Sequence, residues 1–143
     1  MFEKKKSPPQ KRIDSLIGAG TTVHGDVTFS GGLRIDGTVH GKVATVGNEP
    51  GTLVVSEHAR IDGEVRVSHV VINGAVSGPV TANDYLELQA KARVNGDVAY
   101  RTLEMHVGAI VQGKLVHAEP ESAAVVELKR ATGDRKQGVV DAI

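Results

Sequence analysis

The 143-residue sequence contains no cysteine and no tryptophan, and only two phenylalanines and two tyrosines. The missing cysteines exclude disulfides and thiolate metal sites, and they are typical of proteins from a reducing cytoplasm. Lys and Arg together number 17, as do Asp and Glu, so no net charge attracts nucleic acid. No apolar run approaches the roughly 20 residues that a membrane-spanning helix needs, and no signal-peptide core follows the N-terminal lysines. We therefore expect a cytoplasmic protein without a transmembrane segment.

Valine and glycine are abundant, with 22 and 17 residues, and the glycines mark an internal repeat. Six pentapeptides share an aliphatic residue, a polar residue, glycine, a variable residue and a second aliphatic residue. They are VHGDV (23–27), VHGKV (39–43), IDGEV (61–65), VSGPV (76–80), VNGDV (94–98) and VQGKL (111–115). Their central glycines are 16, 22, 15, 18 and 17 residues apart. A period near 17 residues is too short for a helical hairpin or a propeller blade and suits one coil of a β-helix.

A second apolar block precedes most pentapeptides, and its period of two is typical of a strand with one buried face. The blocks are Leu33 and Ile35, Leu53 and Val55, Val70 and Ile72, Leu86 and Leu88, and Leu103 and Met105. The longest interval contains GNEPG (47–51), a turn-rich insertion that should form an outward loop. The sequence thus predicts an all-β solenoid with coils at 18–31, 32–51, 52–68, 69–83, 84–101 and 102–118.

The central glycines are predicted to form corners between strands, where crowding and a positive φ favour a residue without a side chain. These structural glycines are Gly25, Gly41, Gly63, Gly78, Gly96 and Gly113. Because coils stack about 4.8 Å apart, the residues after the glycines form an outward ladder. The ladder reads Asp26, Lys42, Glu64, Pro79, Asp97 and Lys114. Acids and bases lie side by side along part of it, and such pairs should stabilise the stacking.

The chain divides into three zones. Residues 1–14 combine clustered Lys and Arg with a Pro pair and are expected to form a disordered basic tail. Residues 15–118 form the repeat domain. Residues 119–143 lose the glycine pattern and are expected to be a flexible tail, with at most a short helix near 121–131.

The six histidines do not form a recognisable catalytic or metal-binding motif. His24 and His40 occupy equivalent positions in adjacent coils and should lie close together, facing solvent. The others occupy unrelated positions: His58, His69, His106 and His117. The sequence also contains no GxSxG, P-loop or GxGxxG motif. No catalytic residue, metal or cofactor is therefore expected.

The main enzyme alternative is a left-handed β-helix of the hexapeptide acyltransferase type, which trimerises around a catalytic histidine. Such chains repeat an aliphatic residue every six positions. In this sequence the expected buried positions run Leu53, Val55, Ala59, Ile61, Val65 and Val67. That grouping does not keep a six-residue step, which disfavours the acyltransferase.

About six coils with repeated [VI]-x-G-x-V corners, flanked by unstructured tails, resemble the bactofilins, which are polymer-forming bacterial cytoskeletal proteins. The resemblance covers about residues 15–118 and includes LRIDGTVHGKV (33–43) and ARVNGDV (92–98). It implies a right-handed, three-sided β-helix that assembles end to end into filaments without bound nucleotide. It also implies a scaffold that positions cell-envelope enzymes, and hence cell-wall synthesis or remodelling proteins as partners.

The end coils are the predicted polymerisation interface. The ends of a solenoid expose core side chains and strand backbone unless polar caps cover them, and the sequence shows no convincing cap. The first coil offers Val23, Val27 and Phe29, and the last coil offers Leu103, Met105, Val111 and Leu115. The alternative is that the tails fold over the ends and leave a monomer.

The N-terminal stretch MFEKKK is a predicted membrane-binding leader. Its proposed contact residues are Met1, Phe2, Lys4, Lys5 and Lys6. Met1 and Phe2 would enter the headgroup boundary, while each lysine near anionic lipid contributes about 1 kcal/mol. In membrane-associated bactofilins a similar leader acts as the anchor; Phe2 and Lys4 match it, and Glu3 is unhelpful.

This leader predicts peripheral association with the inner face of the cytoplasmic membrane. Two alternatives are a solvated tail that aids solubility and a tail that binds DNA. DNA is less favoured because the charges are few and no aromatic residues are interleaved with them.

Overall fold

A computed structural model describes residues 13–47 and 49–118, which form fifteen β-strands and no helix. The strands are β1 (Ser15–Ile17), β2 (Thr22–His24), β3 (Val27–Phe29), β4 (Gly31–Ile35), β5 (Thr38–His40), β6 (Val43–Thr45), β7 (Gly51–Val55), β8 (Arg60–Asp62), β9 (Val65–Ile72), β10 (Ala75–Ser77), β11 (Val80–Leu88), β12 (Arg93–Asn95), β13 (Val98–Met105), β14 (Ile110–Gln112) and β15 (Leu115–His117).

The strands stack in three parallel columns, and each strand pairs with its equivalent one coil further along the chain. The first face contains β1, β4, β7 and the C-terminal halves of β9, β11 and β13. The second face contains β2, β5, β8, β10, β12 and β14. The third face contains β3, β6, the N-terminal halves of β9, β11 and β13, and β15. The predicted all-β solenoid of six coils is confirmed.

Three long strands bend around the corner between the third and first faces. In β9 and β13 the chain passes this corner with continuous strand structure. In β11 the register shifts between Ala82 and Tyr85, so one extra residue is accommodated at the bend. Such bulges sharpen the local bend of a strand. The solenoid therefore tolerates small differences in coil length at this corner without losing the pairing on either side.

Aliphatic side chains fill the interior as stacked columns. On the second face, Val39, Ile61, Val76 and Val94 occupy equivalent inward positions and are almost fully buried. β-branched side chains have restricted rotamers and pack well on a pleated sheet, which explains the valine-rich composition. Because each coil buries its core only against its neighbours, the two end coils are the weakest points of the interior.

The corner glycines stack directly on one another. Gly63 has a φ of 156°, and a Cβ on it would lie 2.2 Å from the carbonyl oxygen of Gly41 in the preceding coil. A contact of that length is impossible between real atoms, so any side chain here would push the coils apart. The glycine column is therefore a requirement of coil stacking as well as of the corner conformation.

The outward ladder beside the glycines is held by carboxylate-to-backbone hydrogen bonds. The backbone N–H of Lys42 donates to Asp26 Oδ1 over 2.9 Å, and that of Lys114 donates to Asp97 Oδ1 over 3.0 Å. The alternation of acids and bases in the sequence predicts acid–base pairs between these side chains. In the observed hydrogen bonds the aspartate side chain takes part but the lysine side chain does not, because the carboxylate accepts from the backbone N–H of the lysine in the next coil.

The structure also places segments that the periodicity missed. The first coil begins at β1, three residues before its predicted start. Strand β1 pairs in register with β4 even though Ser15 and Leu16 do not follow the aliphatic pattern of the other coils. Asp14, assigned to the tail by the sequence, donates its backbone N–H to the Gly32 carbonyl oxygen, and its side-chain Oδ2 accepts from the Gly32 N–H. The predicted insertion loop lies between Thr45 and Gly51, but Gly51 itself begins β7. Most of both predicted tails, with the possible helix at 121–131, lies outside the described residues.

Candidate assembly surfaces

The N-terminal end of the solenoid is an open strand edge. In the described part of the chain, β1, β2 and β3 each pair on one side only, with β4, β5 and β6. The unpaired side presents backbone donors and acceptors that another strand could use. Val23 and Val27 line the opening and are half-buried, since no strand of the described residues covers them.

Phe29, the third residue predicted at this end, lies inside the solenoid. It is 7% exposed, and its ring points toward Gly51, where an added Cβ would lie 3.4 Å from Cε2. Gly51 begins β7, which pairs with β4 on the side away from β1, so the ring extends away from the terminal opening. Phe29 therefore supplies little exposed surface to the N-terminal end. Ile13 and Leu16 are exposed there instead, and the sequence pattern did not single them out.

The C-terminal end has a larger apolar surface. All four residues predicted there lie in the last coil: Leu103 and Val111 are half-buried, and Met105 and Leu115 are exposed. Leu115 pairs in register with Val98, which is fully buried, yet Leu115 is 43% exposed. The difference arises because, among residues 13–47 and 49–118, no further strand stacks on β15. The last described coil thus exposes side chains at positions that are buried in the preceding coil.

Further apolar residues extend this surface onto the outside of the last coil. Val107, Ile110 and Val116 are all exposed, with Val107 in a turn and the other two pointing outward from strands. In the preceding coil the register partners of Ile110 and Val116 are Arg93 and Ala99. A column-by-column comparison of the repeats would have identified these positions, because the last coil replaces polar or small outward residues with large apolar ones.

The predicted membrane-binding residues lie outside the described residues, so their prediction stays untested. Among residues 13–47 and 49–118 there is no helix with the length and apolarity needed to cross a bilayer.

Several histidines lie on the outer surface and contact side chains of a neighbouring coil. The rings of His24 and His40 stack with centroids 5.1 Å apart, as their equivalent positions predicted. His40 Nδ1 also lies 3.0 Å from Asp62 Oδ2 in the next coil. These contacts lie on the polar second face, so their arrangement is that of a surface ladder joining successive coils.

His106 has neighbours that the sequence did not reveal. Its Nε2 lies 3.0 Å from Glu87 Oε2 and 3.3 Å from Glu104 Oε2. Glu87 and Glu104 are register partners on β11 and β13, so the three groups join the last two coils on the first face. The Tyr85 hydroxyl donates to Glu104 Oε1, and this hydrogen bond, together with burial, raises the pKa of Tyr85 to about 12. The cluster is therefore a locally acidic, hydrogen-bonded patch.

Comparison with known proteins agrees with this architecture. Residues 15–116 match the family model of the bactofilins, described as polymer-forming cytoskeletal proteins. Bactofilin BacO of Myxococcus xanthus (strain DK1622) is 28% identical over 102 residues, which cover 71% of this chain and 78% of that protein. The comparison with solved structures gave no match. The matched segment coincides with the six coils, and the chain belongs to the bactofilin family of polymer-forming cytoskeletal proteins.

Proposed function

We propose that this bactofilin assembles end to end into filaments that need no nucleotide, and that the filaments serve as a scaffold at the cytoplasmic membrane. The observation that carries the proposal is the pair of open solenoid ends. In the described residues, each end presents three strand edges paired on one side only, and the last coil adds exposed core positions. A second copy can satisfy both features with the same backbone pairing that joins coils within the chain.

Physical estimates favour assembly through these ends. Burying an exposed aliphatic side chain fully contributes about 1.5–3 kcal/mol, so half-exposed residues such as Met105 and Leu115 contribute roughly 1 kcal/mol each. Strand pairing across the contact adds backbone hydrogen bonds at about 0.5–1.5 kcal/mol each. A contact between ends leaves the other end of each copy free, so addition can continue along the axis.

Purified full-length protein is expected to form filaments in buffer without ATP, GTP or added metal. Electron microscopy and sedimentation are the measurements, and both should give the same result when nucleotide is added. A monodisperse monomer at high concentration would contradict the proposal. Discrete trimers with acyl-transfer activity that depends on one histidine would support the hexapeptide acyltransferase instead.

We further propose that the N-terminal leader attaches the filament to anionic lipid. One leader contains two apolar residues and three lysines, namely Met1, Phe2, Lys4, Lys5 and Lys6, which supports only weak, reversible binding. A filament displays many leaders on one surface, and this multivalency raises the overall affinity by orders of magnitude without any new contact. Membrane attachment is thus proposed to depend on assembly.

Deleting residues 1–12 is expected to abolish co-sedimentation with vesicles containing phosphatidylglycerol and to leave filaments intact. The reason is that all described strands start after this segment. A matched control replaces Phe2 by Ser while keeping the lysines, and we expect a partial loss because only the electrostatic part remains. Unchanged vesicle binding after the deletion would refute the leader as anchor, and high salt should weaken binding of the intact protein.

The side faces of the filament are proposed to recruit cell-wall synthesis or remodelling proteins. The family assignment supports this role, since a cytoskeletal polymer acts through the proteins it positions. Each chain presents the same three outward faces, so a filament repeats every surface site once per chain and offers each partner a regular array.

A further inference from the structure

A cluster of three metal-ligating side chains lies on the first face of the last two coils. Glu87, on β11, belongs to the fifth coil, while Glu104, on β13, and His106, which follows it, belong to the sixth. We propose that Glu87, Glu104 and His106 form a binding site for a divalent transition-metal ion such as Zn²⁺. The proposal concerns a property of the single solenoid and does not depend on filament formation.

The two carboxylates and the imidazole are close enough together to bind one ion. One ligand atom from each residue can be chosen so that all lie within 4.8 Å of one another. His106 Nε2 is 3.0 Å from Glu87 Oε2 and 3.3 Å from Glu104 Oε2. Zn²⁺ with bonds of about 2.0–2.1 Å in a tetrahedron separates its ligand atoms by about 3.3 Å. The side chains therefore need only small rotations to coordinate the ion.

The register of the strands gives a reason for a cation at this place. Glu87 and Glu104 face each other directly on neighbouring parallel strands, and like charges at such positions destabilise a sheet. A divalent ion between the two carboxylates converts this repulsion into attraction. His106 would then supply Nε2 as the third ligand.

Neighbouring side chains hold both carboxylates in place. The Tyr85 hydroxyl donates to Glu104 Oε1 over 2.5 Å, and Gln89 Nε2 donates to Glu87 Oε2 over 3.2 Å. Partners of this kind orient metal ligands and contribute to affinity even though they do not touch the ion. All five side chains come from two adjacent coils, so the rigid stacking of the solenoid fixes their relative positions.

The chemistry of the ligands selects the class of ion. One imidazole nitrogen with two carboxylate oxygens suits Zn²⁺, Co²⁺, Mn²⁺ or Fe²⁺, whereas Ca²⁺ and Mg²⁺ prefer oxygen ligands alone. Three protein ligands leave at least one position for water. Because the ion would join the fifth coil to the sixth, it would also fasten the last coil, whose outer edge has no neighbour in the described residues.

Titration of the full-length protein with Co²⁺, followed by visible absorption, tests the site, and competition with Zn²⁺ gives the zinc affinity. We expect saturation at one ion per chain and at least ten-fold weaker binding in His106→Ala and in Glu104→Gln. Hydrogen exchange supplies a second readout: Zn²⁺ should slow amide exchange in residues 102–118 of the intact protein and leave His106→Ala unchanged.

His58→Ala is the matched control, because His58 is exposed and has a carboxylate, that of Glu57, at 3.5 Å. We expect its metal affinity to equal that of the unmodified protein. Absence of saturable binding would overturn the proposal. Equal affinity in the unmodified protein, His106→Ala and Glu104→Gln would do so too, since the ion would then bind elsewhere. Circular dichroism of each variant checks that the solenoid remains folded.

Discussion

Replacing Leu115 by arginine is expected to abolish filaments at concentrations where the unmodified protein assembles completely. Leu115 occupies a core position of the last described coil and is exposed because no strand of the described residues stacks on the outer side of β15. Stacking another copy on this end would bury a guanidinium without a partner, at a cost of several kcal/mol. We expect the critical concentration to rise at least about 100-fold, which corresponds to roughly 2.7 kcal/mol. Sedimentation over a concentration series measures it.

Val116→Arg is the matched control for this experiment. Val116 is the next residue in β15 and is 47% exposed, against 43% for Leu115, but it points outward from the third face. An arginine there should remain in solvent when the ends meet, so filaments should form at nearly the original concentration. If both substitutions blocked assembly equally, a lateral contact would replace end stacking as the explanation. If neither did, the C-terminal end would not be an assembly surface.

Gly63→Ala, at a corner in the middle of the solenoid, is expected to cause a large loss of folding stability. The added Cβ would lie 2.2 Å from the Gly41 carbonyl oxygen, which is backbone and cannot rotate away. The two coils must separate locally, and this overpacking adds about 1–3 kcal/mol to a backbone strain of similar size. We expect the free energy of unfolding to fall by about 2–6 kcal/mol. Chemical denaturation followed by circular dichroism measures the change.

Gly25→Ala separates the steric cause from the conformational one. Gly25 has the same corner role and a φ of 131°, but a Cβ on it meets no atom within 4 Å, because no coil in the described part of the chain precedes it. Only the strain of about 1–2 kcal/mol should remain. Comparable destabilisation at Gly25 and Gly63 would mean that backbone conformation, and not close stacking, explains the glycine column.

The repeat architecture was predictable because the corner leaves a strong local signal. Each pentapeptide sits at the same corner, and residues such as Val23 and Val39 are register partners as their positions suggested. Strand β1 was harder to find, since Ser15 replaces an aliphatic residue and only Ile17 keeps the inward pattern. Phe29 was assigned to an exposed end by its position in the first coil, but its side chain is long enough to enter the interior.

The contacts of His106 could not be read from its position alone. Glu87 is 19 residues away, and the two meet only because β11 and β13 pair with a defined register. That register includes a shift between Ala82 and Tyr85, which periodicity does not locate. The same applies to the hydrogen bonds that the carboxylates of Asp26 and Asp97 accept. The sequence places each aspartate beside the lysine of the next coil, but it does not show that the donor is the lysine backbone N–H.

The open terminal edges also couple melting to self-association. A coil in the middle of the stack has two neighbours and a terminal coil has one, so thermal unfolding should begin at the first and sixth coils. When another copy covers an end, the terminal coil becomes an internal one and gains the missing neighbour. In terms of folding stability, a long polymer then behaves as one continuous solenoid that is interrupted only by chain breaks. Because assembly increases with protein concentration, the melting temperature should rise with concentration as well.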